Sequence, residues 1–158
     1  MIGADIMRRI FLSAALCGSA FMLGQIPAQA GDTVNTGYFG GVAIMGYDPV
    51  AYFTDSHAVK GSEKFAYDWL GTPWHFANEK HREMFMSEPT KYAPQYGGYC
   101  AVTMSGGEKG PANPEAWIIS DGKLYVFRGK IGVDKFKGNP AEVAALADAN
   151  WRKLHEPK

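Results

Sequence analysis

Apolar positions along this chain switch between two periods. Phe65, Tyr67 and Trp69 alternate with Ala66, Asp68 and Leu70, and Trp74 and Phe76 flank His75. Such alternation puts every second side chain on one face of a strand. Two strands joined at Gly71-Thr72-Pro73 are therefore expected, with His75 on the face opposite Trp74 and Phe76. From Asn78 the period lengthens. Asn78 is suited to cap a helix, and Glu79 in the first turn complements the helix dipole. His81, Met84, Phe85 and Glu88 then fall on one stripe at helical spacing. Pro89 closes this helix, and Tyr92 to Tyr96 adds a short helical turn.

Upstream, Val42-Ala43-Ile44-Met45 reads as a short strand broken by Gly46. Asp48 and Pro49 open a helix through Val50, Ala51, Tyr52 and Phe53, as a cap followed by a first-turn proline. Downstream, Gly97-Gly98 allows a sharp change of direction before Tyr99-Cys100-Ala101-Val102-Thr103-Met104, and residues 105–114 form a loop rich in glycine and proline. Ala116 to Ile119, Asp121-Gly122 and Lys123 to Arg128 make the clearest hairpin, because Asp-Gly between two apolar runs favours a type I′ turn. Lys130 to Lys137 is expected as a short helix. Pro140 opens a last helix through Trp151, with Val143, Leu146, Ala147, Asn150 and Leu154 on its inner face. No repeat and no linker are evident along the chain. The expected class is α+β: one small domain over residues 42–154, of short antiparallel hairpins with packed helices, behind a flexible lead-in at 31–41.

The first thirty residues are set apart from that domain. Arg8-Arg9 precede an apolar run from Ile10 to Leu23, and Ala28 and Ala30 supply the small residues of a signal-peptidase site. Residues 1–30 thus read as a signal peptide cleaved after Ala30, with an uncleaved anchor as the alternative. Cys17 is a poor lipid-attachment residue, since bulky Leu16 precedes it. The arginine pair also resembles a twin-arginine export motif, but Met7 stands before it and the ordinary Sec route is preferred. The expected destination is the periplasm or the exterior, with no stable membrane span after cleavage.

Charge is balanced at 16 Lys+Arg against 16 Asp+Glu, so no basic field exists to draw nucleic acid or anionic lipid. All four Trp and all eight Tyr follow residue 30, a density that favours an aromatic core. Cys100 is the one cysteine left after cleavage. It cannot form an internal disulfide, which leaves a buried thiol, a metal ligand or an intermolecular bond.

The run Asp48-Pro49-Val50-Ala51-Tyr52-Phe53 resembles the first signature of the YHS domain family, Asp-Pro-Val-Cys-Gly-Met. Gly71, Trp74, Phe76, Ala77-Asn78, His81, Phe85, Pro89 and Lys91-Tyr92 resemble its second. The resemblance covers residues 46–92, and residues 100–158 look like an extension shared by exported, cysteine-poor members. It implies a small α+β module associated with metal handling, whose metal-binding cysteines are here Ala51, Ala77 and His81. With two thiolates replaced by alanine, the inherited cage is absent, and one imidazole alone binds a metal weakly.

A rebuilt metal site would use Cys100, Met104 and His81, with His75, Met45 and Met84 as lesser additions. Thiolate, thioether and imidazole together suit copper. The plain alternative makes Cys100, Met84 and Met104 core residues, His81 a helix residue bonded to a neighbour, and Asp48 a helix cap. A Cys100–His81 nucleophile pair is conceivable, although no oxyanion hole or orienting group is evident. No phosphate-binding glycine loop is present. The leading expectation is a non-enzymatic binding module for a transition metal such as copper or for a small ligand. The alternatives are a structural or interaction domain with a decayed site, partnered by an envelope protein, and a thiol-dependent enzyme using Cys100.

Overall fold

The computed structural model describes residues 33–38 and 40–155. The expected signal peptide and Cys17 lie outside them. Among the described residues no helix is long and apolar enough to cross a membrane.

The chain is an α+β assembly of two antiparallel hairpins with helices packed beside them. A 3₁₀ turn at Ala43–Gly46 leads to α1 (Ala51–Thr54), β1 (Ser62–Trp69), β2 (Thr72–Phe76), α2 (Glu79–Ser87) and α3 (Pro89–Tyr92). A second 3₁₀ turn at Gln95–Gly98 leads to α4 (Ala101–Ser105), β3 (Asn113–Ser120), β4 (Lys123–Phe127), α5 (Lys130–Gly138) and α6 (Pro140–His155).

The two series are copies of one unit. β1 and β3, β2 and β4, and α2 and α5 have the same lengths and stand at one 51-residue offset, and α3 and α6 start at that offset too. Both hairpins shift register at the same place, between Ser62 and Ala66 in one and between Asn113 and Trp117 in the other. Both 3₁₀ turns hold their two central residues in the left-handed region, Ile44 and Met45 in the first and Tyr96 and Gly97 in the second. The segment after residue 100, expected as an extension, is thus a second copy, and the expectation of no repeat is corrected. The sequence hides the repeat because few identities survive, among them Gly71 and Gly122 in the turns, Phe76 and Phe127, Phe85 and Phe136, Pro89 and Pro140. Each of these has a physical task in both copies. The phenylalanines are buried at 0–1 % exposure, the glycines have positive φ, and each proline opens a helix, where its missing N–H costs nothing.

Several local expectations change. Residues 42–45 form a turn rather than a strand, because Ile44 and Met45 take positive φ. The first hairpin turns at Leu70-Gly71, and Thr72 and Pro73 belong to β2. Pro89 begins α3 instead of merely stopping α2. Residues 99–104 cross from the second 3₁₀ turn into α4, with Cys100 just before the helix. On α6, Val143 and Ala147 are buried, but Leu146 and Leu154 are about half exposed. The lead-in is anchored through Val34 and Asn35. Val34 is buried, Asn35 N–H donates to the Gly97 carbonyl at 2.8 Å, and Asn35 Nδ2 donates to the Gly98 carbonyl at 2.8 Å. That approach requires Gly97, since a Cβ there would stand 1.8 Å from the Thr33 carbonyl oxygen.

Each copy has its own core. The first gathers Val50, Tyr52, Trp74, Phe76, Phe85 and Tyr92. The second gathers Tyr96, Met104, Tyr125, Phe127, Phe136 and Val143. The copies are not independent: Leu124 is buried in the first core, and Trp117 and Ile119 pack against it. Tyr52 Oη also donates to the Pro114 carbonyl at 2.8 Å.

Candidate functional site

The corner between the short helix, the end of the hairpin and the long helix differs between the two copies. In the first copy it is closed around the Asp48 carboxylate, which is fully buried. Asp48 Oδ1 accepts the N–H of Val50 at 2.8 Å and of Ala51 at 3.4 Å, which holds the turn leading into α1. The helix starts at Ala51 after Val50, so the expected start at Pro49 behind an Asp48 cap is corrected. Oδ2 accepts the N–H of Ala77 at 2.8 Å and faces His81 Nδ1 at 2.7 Å. A carboxylate only accepts, so Nδ1 carries the proton of that bond. The far ring nitrogen, Nε2, lies 3.3 Å from Thr54 Oγ1. Asn78 Oδ1 accepts the His81 N–H at 2.9 Å, which sets the start of α2 and aims the ring inward. Ala51, Ala77 and His81, the positions where the YHS resemblance places cysteines, therefore converge on one carboxylate.

In the second copy Cys100 stands where Asp48 stands in the first. One backbone bond matches, since Asp48 N–H donates to the Val59 carbonyl at 2.9 Å and Cys100 N–H to the Gly110 carbonyl at 3.1 Å, although α4 starts directly after Cys100 and α1 three residues after Asp48. The counterpart of Ala77 is Arg128, and its N–H donates to Cys100 Sγ at 3.3 Å. Cys100 thus keeps one of the bonds that Asp48 makes, through a weaker acceptor. The counterpart of His81 is Gly132, which has no side chain to fill the corner. What results is a cavity of about 550 Å³. Its walls include Cys100, Val102, Thr103, Arg128, Lys130, Ile131, Gly132 and Lys135. Arg128 and Gly132 are the counterparts of Ala77 and His81 at the 51-residue offset. The volume lies in the range of small-molecule pockets. Cys100 itself is only 2 % exposed and forms an inner wall.

The expected metal donors are not gathered. Cys100 and Met104 share the second core, with Met104 fully buried. His81 is bound to Asp48 and Thr54 in the other copy. The reason is the duplication: residue 81 belongs to the corner of the first unit and residue 100 to the corner of the second. Among the described residues no group of three or more His, Cys, Asp and Glu side chains gathers to hold a metal ion. Met84 packs on the first core. Met45 and the half-buried His75 line a separate cavity of about 460 Å³ with Lys60 and the glycine-bearing turn before it.

Sequence reasoning missed Gly132, Arg128, Lys130 and Lys135, which become visible only once the second copy is aligned on the first. It also missed Thr54 as a partner of His81. Comparison with family models, with curated proteins and with solved structures finds no match.

Proposed function

We propose that the protein is an exported, non-enzymatic binding module of YHS-like build, made of two copies of one unit. The first copy seals its corner with its own side chains, and the second keeps its corner open for a small ligand. The observation that carries this reading is the contrast between equivalent places: Asp48 and His81 fill one, and a cavity of about 550 Å³ occupies the other. The convergence of residues 51, 77 and 81 on the Asp48 carboxylate supports the kinship. It sets side by side the three positions that the family reserves for metal-binding thiolates. The leader-like pattern of residues 1–30 supports export.

The ligand moves from copper to a small organic molecule on two grounds. The soft donors are divided between the copies, and the open corner surrounds its single thiol with Arg128, Lys130 and Lys135. The positive charges of Arg128 and Lys135, unpaired among the described residues while Lys130 is bonded to Asp134, oppose the entry of a metal cation. Cys100 serves as a wall and as the anchor of the Arg128 backbone, with no nucleophilic role assigned to it.

The test is a fragment titration of ¹⁵N-labelled protein. Binders are expected to shift the amides of Thr103, Arg128 and Gly129 and to leave those of Ala51, Ala77 and His81 in place. Gly132→His puts an imidazole where the first copy has one, and should abolish binding. A Cβ at Gly132 would stand 3.1 Å from Phe127 Cβ, so Val102→Trp provides a second way of filling the cavity. Binders that shift only the first corner, or that survive both substitutions, overturn the reading.

A further inference from the structure

The open corner differs from the closed one in charge as well as in shape. Its lining carries Arg128, Lys130 and Lys135 and, among the described residues, no carboxylate. Their counterparts in the first copy are Ala77, Glu79 and Met84, so the cations belong to the open corner and not to the shared fold. Lys130 is committed in part, since its Nζ lies 2.6 Å from Asp134 Oδ2 at the exposed surface. Arg128 and Lys135 are exposed and have no carboxylate partner among the described residues. Between these charges the wall is apolar: Val102 is half-buried, and Ile131 stands at the mouth with 86 % of its surface exposed. A large aliphatic side chain left in water beside unpaired cations is a surface suited to a ligand with both an apolar and an anionic part.

We infer that the cavity beside Cys100 binds a small organic anion, a carboxylate or phosphate ester with a compact apolar body. The anionic head meets Arg128 and Lys135 at the rim, and the body lies against Val102 and Ile131. A guanidinium presents paired donors that fit either head group, so the two heads share one chemistry and the experiment separates them. This inference rests on the binding reading above, and it adds the sign of the ligand's charge.

The experiment titrates the protein with benzoate, phenyl phosphate, their neutral isostere benzamide and inorganic phosphate. Binding is read by calorimetry and by the amide shifts of Thr103, Arg128 and Gly129. Benzoate or phenyl phosphate should bind, and whichever binds more tightly identifies the head group. Benzamide and inorganic phosphate should each bind at least about tenfold more weakly, because each lacks one half of the recognition. The double substitution Arg128→Gln with Lys135→Gln lies on exposed side chains. It should weaken the organic anion by at least about tenfold and leave benzamide unchanged. Benzamide binding at the cavity as tightly as benzoate would overturn the charge inference and leave the binding reading standing. Inorganic phosphate binding as tightly as phenyl phosphate would overturn the apolar half. Absence of binding by every probe, charged or neutral, would overturn both this inference and the reading beneath it.

Discussion

Asp48 and Cys100 occupy one position in two copies, and their chemistry decides what each corner becomes. The Asp48 carboxylate has enough acceptor capacity to take the Val50 and Ala77 N–H groups, a longer bond from Ala51, and the His81 ring. The Cys100 sulfur accepts one, from Arg128. Removing a buried acceptor leaves its donors without partners, and the penalty grows with their number. Asp48→Ala is therefore expected to cost roughly 3–5 kcal/mol, and Cys100→Ala about 1–2 kcal/mol. Urea denaturation of the two variants measures the difference. Equal losses would mean that the Asp48 cluster contributes no more than the single sulfur contact.

At the level of elements, each hairpin turns through two residues at positive φ, Leu70-Gly71 in the first and Asp121-Gly122 in the second. This is the turn that fits the right-handed twist of paired strands. The two first positions are not equally suited to it. Aspartate tolerates the left-handed region, whereas leucine meets the steric cost that most side chains meet there. Leu70 has φ 53° and is about half exposed, so little packing is lost on replacing it. Leu70→Asn should raise stability by about 0.5–1 kcal/mol. The expected result is a higher urea midpoint at an unchanged slope, and a lower midpoint would show that Leu70 contributes packing its exposure does not reveal.

For the whole molecule, two buried tyrosines, one of them at the contact between the copies, set the response to alkali. Tyr52 reaches from the first core to the Pro114 carbonyl of the second unit. Its hydroxyl is held well above the ordinary tyrosine value of 10.0, first by burial and then by the nearby Tyr47, Asp48 and Glu115. Tyr96, bonded to Asp148 at 2.8 Å, is raised in the same direction by burial and by that carboxylate. A raised folded value means that the unfolded chain loses its proton first. Below pH 10.0 the two states carry the same proton and the full stability is present. As pH climbs past that value, the unfolded state is favoured and stability declines through the folded values. The urea midpoint should fall above pH 10.0, and the Tyr52→Phe, Tyr96→Phe protein should fall less steeply. Identical slopes in both proteins would place the alkaline loss elsewhere.

The sequence by itself determined the elements whose cause is local. Asn78 caps α2 through its own side chain, Asp121-Gly122 forms the second turn, and the Trp74/Phe76 alternation selects the buried face of β2, because each of these acts within a few residues. It also determined that Ala51 and Ala77 offer no thiolate. Only the tertiary structure decided that Val42–Met45 turns instead of extending, that Leu146 and Leu154 face outward, and that Cys100 and His81 belong to different corners. Those outcomes depend on contacts between distant segments, such as Asn35 with Gly97 and α4 with α6. The duplication stayed hidden for the same reason. A fold can persist on two phenylalanines, a turn glycine and a helix-opening proline, while the side chains that fill or empty its corner, His81 in one copy and Gly132 in the other, change freely.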